Sequence, residues 1–250
     1  MDVRGAACLV TGASSGIGAA TAQALSSRGA RVVVAGSDPA RTAQVAARVD
    51  GTALVFDLAN PGAAADLAAA ALAVHGRVDV LVNNAGVGWA GSFADMPEGE
   101  IARLVQIDLT AALELTRALL PGMVQRGRGH VVSVGSVAGH AGGRGEAVYA
   151  ACKAGLAAFT EALRQEHCDT PVGLSVVIPG AVATPFFARR GVPYTRSFPR
   201  PVPAGRVAAA IVDAIRRDRA QVVVPGWLDG PIRLRGAAPE LYRPLVDRFG

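Results

Sequence analysis

Tyr149 and Lys153 stand four residues apart in V-Y-A-A-C-K-A-G, and Ser136 lies thirteen positions upstream. On a helix, residues i and i+4 share a face, so a phenol and an ammonium at this spacing point into the same space. Such a pair can move a proton. A free tyrosine, with a pKa of about 10, is a poor acid or base near neutrality, and an adjacent ammonium favours the phenolate and brings it toward working range. Ser136 would hydrogen-bond the oxygen that gains or loses the proton. Tyr and Lys are also ordinary helix-surface residues, so the meaning of the pattern rests on its surroundings.

The elements that must position these groups begin upstream. A-C-L-V-T-G-A-S-S-G-I-G runs from an apolar stretch, Ala7 to Val10, through Gly12, Gly16 and Gly18 into alanine-rich helix-forming sequence that stops at Gly29. A strand, a glycine-rich turn and a helix N-terminus in succession suit a pyrophosphate: glycine permits the tight turn and close backbone approach, while unpaired N–H groups and the helix dipole favour an anion. The spacing is G-x-x-x-G-x-G, not the G-x-G-x-x-G dinucleotide fingerprint. A glycine turn without a ligand is the alternative for these residues taken alone.

Apolar, valine-rich runs recur at Arg31 to Ala35, Thr52 to Phe56, Val78 to Val82, His130 to Val134, Val172 to Ile178 and Gln221 to Val224. Helical stretches lie between them, at Pro61 to His75, Glu98 to Gln125, Val148 to Glu166 and Ala204 to Arg217. Continuous rather than alternating apolar strands imply a parallel sheet covered on both faces. The predicted fold is therefore α/β, a doubly wound parallel sheet of about seven strands in a single domain, with ligands outside the carboxyl ends of the strands.

With these motifs in this order, the chain resembles the short-chain dehydrogenase/reductase family over nearly its whole length. T-G-A-S-S-G-I-G is similar to the family's cofactor loop, N-N-A-G (Asn83 to Gly86) to the motif ending its fourth strand, and P-G-A-V-A-T (Pro179 to Thr184) to the segment that touches nicotinamide. The resemblance implies that Gly12, Ser14, Ser15, Gly16, Ile17 and Gly18 hold the cofactor phosphates. Asp57 and Leu58 would meet the adenine, with Asn83, Ala85 and Gly86 beside it, and Pro179, Gly180, Val182 and Thr184 the nicotinamide. Ser136, Tyr149 and Lys153 match the catalytic groups, Lys153 also holding the nicotinamide ribose. Asp108, in Q-I-D-L-T, departs from the family's usual Asn. Its carboxylate would either interact with Lys153 or hydrogen-bond across neighbouring helices as a structural residue.

NAD-preferring relatives carry an acid at the end of the second strand to bind the ribose 2′-hydroxyl, whereas V-V-V-A-G-S-D-P-A-R has Gly36 there. Asp38, followed by Pro39, reads as a helix N-cap, which would occupy its carboxylate locally. Arg41, beside Ser37, could meet a 2′-phosphate. NADP(H) is accordingly expected over NAD(H), in an oxidoreductase interconverting a ketone or aldehyde and an alcohol. The same fold also admits an epimerase, a dehydratase or a cofactor-sensing regulator.

Composition sets limits on other readings. At 250 residues the chain has room for one large α/β domain. It is 51% hydrophobic with mean hydropathy +0.33, but no run approaches the roughly 18 apolar residues of a membrane span. The first strand begins almost at once, which fits a cytoplasmic enzyme. Cys8, Cys152 and Cys168 are scattered, and four histidines form no ligand pattern, so neither a disulfide framework nor a metal is expected. A net charge of +5 is spread over many arginines with only 5% aromatic residues, which argues against nucleic acid and for a nucleotide phosphate as the anionic partner.

Two segments break the alternation. Residues 185–203 carry four aromatics and four arginines among repeated prolines; in the family this is the substrate lid, with Phe186, Phe187, Tyr194 and Phe198 as apolar contacts and Trp89 and Phe93 as the opposite wall. These aromatics could equally cap the core. The tail, 226–250, interleaves apolar and arginine residues in short turns broken by prolines. It could cover a subunit interface of a homodimer or homotetramer, close the pocket or lie on a membrane surface; packing on protein is favoured because prolines interrupt the membrane-binding face.

Overall fold

The central valine-rich runs are buried on both faces, as strands between two helical layers must be, while those at 52–55 and 221–224, on the sheet edges, are partly exposed. The computed structural model describes residues 1–195, 197–240 and 242. Strands β1 (Ala7–Val10), β2 (Arg31–Gly36), β3 (Thr52–Val55), β4 (Val80–Asn83), β5 (Gly129–Val134) and β6 (Val172–Pro179) are followed by a short pair, β7 (Val182–Ala183) and β8 (Val202–Pro203), and by β9 (Gln221–Val224). The main sheet has seven strands in the order β3-β2-β1-β4-β5-β6-β9, all parallel. In β1, Leu9 faces Val33 of β2 on one side and Leu81 of β4 on the other. Strand order reverses between β1 and β4, which opens a crevice at their carboxyl ends.

The layers separate cleanly. Helices α1 (Gly16–Ser26) and α2 (Pro39–Arg48) cover one face through Leu25, Val45 and Ala46. Helix α3 (Ala63–His75) covers the other through Leu67 and Ala71. The expected 98–125 helix is one run broken in the middle: α4 (Glu100–Val105), a π turn (Gln106–Thr110) and α5 (Ala111–Gln125), whose Leu115, Leu119 and Met123 join α3 in the second core. A π turn inserts a residue into the helical register and tends to sit at functional sites; this one carries Asp108. After β5 come α6 (Val137–Ala141) and α7 (Ala147–Glu166), then α8 (Phe186–Arg189) inside the 185–203 connection. Helix α9 (Ala204–Arg217) packs Val207, Ile211 and Ile215 beside α1, and α10 (Asp229–Ala237) belongs to the tail. Among the described residues, no helix is long and apolar enough to cross a membrane.

At the amino end of the strands, away from that crevice, His130 of the interior strand β5 is 1% exposed. Its Nε2 lies 2.8 Å from Ser175 Oγ, and that hydroxyl donates to the Arg219 carbonyl at 2.6 Å, so Nε2 carries the imidazole proton. Burial pulls the His130 pKa down to about 4, only partly opposed by Asp218. The folded chain thus refuses a proton that the unfolded chain accepts below about 6.5, and stability present above that pH is lost as pH falls toward 4. Asp108 works the other way: burial raises its carboxyl to about 6, so the fold gains stability as pH falls through that value. His130→Gln should therefore remove about 2 kcal/mol of the destabilisation between pH 7 and pH 5. Urea unfolding of both proteins at the two pH values measures it, and parallel pH profiles would show that His130 does not carry the effect.

Candidate active site

The floor of the crevice is the turn after β1. Gly12 has φ +61°, and a Cβ there would meet Ala85 Cα at 2.7 Å; Gly16, at φ +56°, abuts Thr184. Thr11 Oγ1 accepts from the Asn84 and Ala85 N–H groups, each at 3.0 Å, and Asn84 Nδ2 donates to the Thr11 carbonyl at 2.8 Å and the Gly12 carbonyl at 3.3 Å. These bonds clamp the end of β4 to the turn. Ser15, the N-cap of α1, is extended and makes no side-chain cap, so the first N–H groups of the helix are not capped from its side. Ser14, Ser15, Gly16, Ile17, Ser37, Asp57, Leu58, Ala85 and Gly86 line the same cleft, as do Pro179, Gly180, Val182 and Thr184. Gly18 lies just behind the lining, where its missing side chain lets α1 pack against Gly12 and Asn84.

Two expected cofactor residues lie elsewhere. Asn83 is 3% exposed and turns toward α5, its Nδ2 donating to Thr116 Oγ1 at 3.0 Å and the Ala112 carbonyl at 3.4 Å. The next residue, Asn84, faces the cleft instead. Asp38 caps α2 as expected, Oδ1 accepting from the Arg41 N–H at 2.9 Å. Its second oxygen pairs with Arg41 Nε at 2.9 Å, which holds that guanidinium on Asp38 and outside the cleft lining. The arginine that does line the cleft beside Ser15 is Arg189 of α8, with Nη2 donating to Ser15 Oγ at 2.6 Å.

Facing this floor, the carboxyl ends of β4 and β5 bring together Ser136, Tyr149, Lys153 and Asp108. Ser136 caps α6, its Oγ accepting from the Ala138 N–H at 3.1 Å, and its hydroxyl stands near enough to the Tyr149 phenol to favour the phenolate. Lys153 is 4% exposed; Nζ donates to the Val134 carbonyl at 3.4 Å and lies 3.8 Å from Asp108 Oδ1 and 5.7 Å from the centre of the Tyr149 ring. Asp108 is 1% exposed, with Oδ1 accepting from the Val87 N–H at 2.9 Å and Oδ2 without a partner. One oxygen thus faces Lys153, as one of the two expectations had it, and its hydrogen bond runs to the loop after β4 rather than across to a neighbouring helix.

The electrostatics correct the simple pairing of phenol and ammonium. Burial, reinforced by the Asp108 carboxylate, pushes the Tyr149 phenol above its ordinary range, opposed by the neighbouring Ser136 hydroxyl. With Asp108 Oδ1 3.8 Å from the Lys153 ammonium, the carboxylate offsets the positive charge on the phenol's side of the site. Cys152 is buried, and burial raises its thiol to about 11, which makes it a packing residue rather than a reactive one.

Apolar side chains wall the cleft beyond Tyr149. The rings of Tyr149 and Phe186 are 5.4 Å apart, Phe186 and Phe187 5.6 Å, and Phe187 and Tyr194 5.0 Å. Trp89 and Phe93 line a small side chamber that also reaches Tyr149. Phe198 turns out of this row, 70% exposed and stacked on Trp227 at 5.3 Å. The described part of the tail packs on the protein: Leu228, Pro231, Leu234 and Tyr242 line the cleft, and Arg235 donates to the His140 carbonyl. The cleft encloses about 1750 Å³, ample for a dinucleotide and a small substrate together. Its glycine floor, open helix N-terminus and fused aromatic chamber fit that pair of ligands. Among the described residues, no three His, Cys, Asp or Glu side chains gather as metal ligands.

Fold and cleft together define a dinucleotide-binding α/β oxidoreductase. A family model described as short chain dehydrogenase matches residues 6–192, and the chain belongs to that family of nicotinamide-dependent enzymes. Over 230 residues it is 38% identical to a ketoacyl reductase, HetN, of Nostoc, covering 88% of this chain and 78% of that protein. It is 32% identical over 212 residues to the 3-oxoacyl-[acyl-carrier-protein] reductase FabG of Escherichia coli, covering 84% and 87%. Among solved structures, a Sphingobium yanoikuyae short-chain dehydrogenase in complex with NADPH superposes with TM-score 0.83 at 29% identity, over 96% of this chain and 94% of that one. A Burkholderia phymatum member in complex with NAD gives 0.87 at 25% identity, over 96% of each.

Proposed function

We propose that this chain is an NADP(H)-dependent ketoreductase acting on a small or medium, largely apolar carbonyl compound. The observation that carries the reading is the convergence of Ser136, Tyr149, Lys153 and Asp108 in the cleft floored by the glycine turn. The nicotinamide, when bound, supplies or accepts the hydride. Tyr149 donates the proton to the carbonyl oxygen in reduction and removes it from the alcohol in oxidation, and Ser136 orients that oxygen. Burial and Asp108 keep the phenol protonated near neutrality, the form that gives its proton to a carbonyl oxygen in reduction. Two relatives named as ketoacyl reductases support a carbonyl substrate. The engagement of Asp38 by Arg41 supports NADP(H), since no free carboxylate remains at the end of β2 for a ribose 2′-hydroxyl. Phe186, Phe187 and Tyr194 of the 185–203 connection and Leu228, Pro231, Leu234 and Tyr242 of the tail would wall the substrate chamber. Oxidation of NADPH and NADH with a panel of ketones, aldehydes and 3-oxoacyl thioesters tests the reading. Cofactor binding without turnover on any of them would favour an epimerase or dehydratase.

Asp108 acts here as a positioning residue for Lys153. Asp108→Asn keeps an acceptor oxygen for the Val87 N–H and should remain within about tenfold of wild-type kcat, roughly 1.4 kcal/mol in barrier. It should also erase a titration near pH 6 from the pH–rate profile, because that carboxyl ionises there. Asp108→Leu strands the Val87 N–H and the Lys153 ammonium, and should cost more. A dead Asn variant beside a sound fold would mean that the carboxylate itself is required.

A further inference from the structure

The 185–203 connection leaves the sheet after β7 and returns at β8, and these two strands pair in parallel, Val182 with Val202. Between them, two consecutive arginines tie the connection to different parts of the site. Arg190 pairs with Glu146, the residue that precedes α7, and lies 4.7 Å over the Phe187 ring. Arg189 reaches the other way, across the cleft to Ser15 at the start of α1, 174 positions away in sequence.

The surroundings of Arg189 are unusual for a cation. Its hydrogen-bond partner is a neutral hydroxyl, not a carboxylate. The nearby charges are Arg41, which disfavours its protonated form, and Asp38, which favours it but is already held by Arg41. Two guanidiniums therefore stand near one carboxylate between the start of α1 and the end of β2, leaving an excess of positive charge on this side of the cleft. A guanidinium prefers phosphate oxygens to a serine hydroxyl, because a charge-assisted pair is about twice as strong as a neutral one and can be bidentate.

We propose that Arg189, rather than Arg41, is the principal cation that receives the 2′-phosphate of NADP(H), so that the 185–195 segment is held on the phosphorylated cofactor in preference to NAD(H). The proposal rests on the NADP(H) reading above and adds the residue and the segment that carry it. Ser15 holds the guanidinium in place before the cofactor arrives, and the Arg190–Glu146 pair fixes the other end of the same turn to the catalytic helix.

Fluorescence titration of NADPH and NADH into wild type, Arg189→Gln and Arg41→Gln tests it, with chymotryptic cleavage at the segment's aromatic residues as a second readout. Arg189→Gln should weaken NADPH on the order of tenfold to a hundredfold and leave NADH within about twofold, with a smaller effect from Arg41→Gln. Adenosine 2′,5′-bisphosphate should protect the segment of wild type from chymotrypsin, ADP should not, and Arg189→Gln should abolish the protection. Equal weakening of both cofactors would place Arg189 on the pyrophosphate and overturn the proposal, as would a larger loss from Arg41→Gln. A wild-type preference for NADPH that survives in Arg189→Gln overturns the assignment while leaving the NADP(H) reading intact. Tighter NADH binding by wild type overturns both.

Discussion

Replacing Tyr149 by Phe is expected to lower turnover on the order of 10²- to 10⁴-fold, the range that a positioned proton donor supplies. Dissociation constants for the cofactor should stay within about threefold. The separation follows from what the substitution leaves behind. The ring keeps its place 5.4 Å from Phe186 and beneath the Lys153 ammonium, so the aromatic wall and the lysine need not move. Only the hydroxyl beside Ser136 is lost. Single-turnover rates and cofactor titration on the same preparation measure the two quantities. A variant retaining more than about a tenth of wild-type turnover would sink the proton-donor role; one that also lost cofactor affinity would mean that the hydroxyl serves binding.

Gly18→Ala should strike the other half of the site with comparable force. A Cβ at this position would lie 2.5 Å from the Gly12 carbonyl oxygen, 2.6 Å from Asn84 Nδ2 and 2.8 Å from Ala13 Cα. Two of these three are backbone atoms of the turn itself, and the third is the amide that clamps β4 to it. None can withdraw without opening the floor of the crevice. Overpacking of this kind costs about 1–3 kcal/mol, equivalent to a Tm lower by roughly 3–10 °C in a chain of this size. Cofactor affinity should fall at least about tenfold. Gly205→Ala in α9 is the matched control, since a methyl there meets nothing within 4 Å and alanine favours the helix. Unchanged affinity in Gly18→Ala would show that the turn adapts and that its glycine is not required for phosphate approach.

What could be read before the fold was known was local. The valine runs foretold the seven strands because burial on both faces leaves no other composition, and the i, i+4 rule placed Tyr149 beside Lys153. What escaped was set by long-range approach. Nothing in the neighbourhood of Tyr149 announces that a carboxylate from 41 positions upstream will pair with Lys153, nor that the phenol will be held out of bulk water. Arg189 was one of four arginines in a proline-rich connection, and only folding brings it to Ser15. The exchange of Asn83 for Asn84 has a simpler cause. Side chains alternate along a strand, so the last residue of β4 and the one after it face opposite layers, and the first of the pair is taken by Thr116 of α5.

The buried ammonium of Lys153 has one more property: it is the single lysine among 25 basic side chains, every other being arginine. Arginine keeps its proton under all ordinary conditions, so the capacity for a side chain to exchange between amine and ammonium is confined to this one point. Chemistry selective for primary amines inherits that confinement. Reductive methylation with isotope-labelled formaldehyde would place a side-chain methyl signal at one address, inside the cleft, where its shift would register the ionisation of Asp108 and the arrival of the cofactor. An endoprotease that cuts after lysine would meet one peptide bond, within the second turn of α7, and the folded chain should pass through it whole.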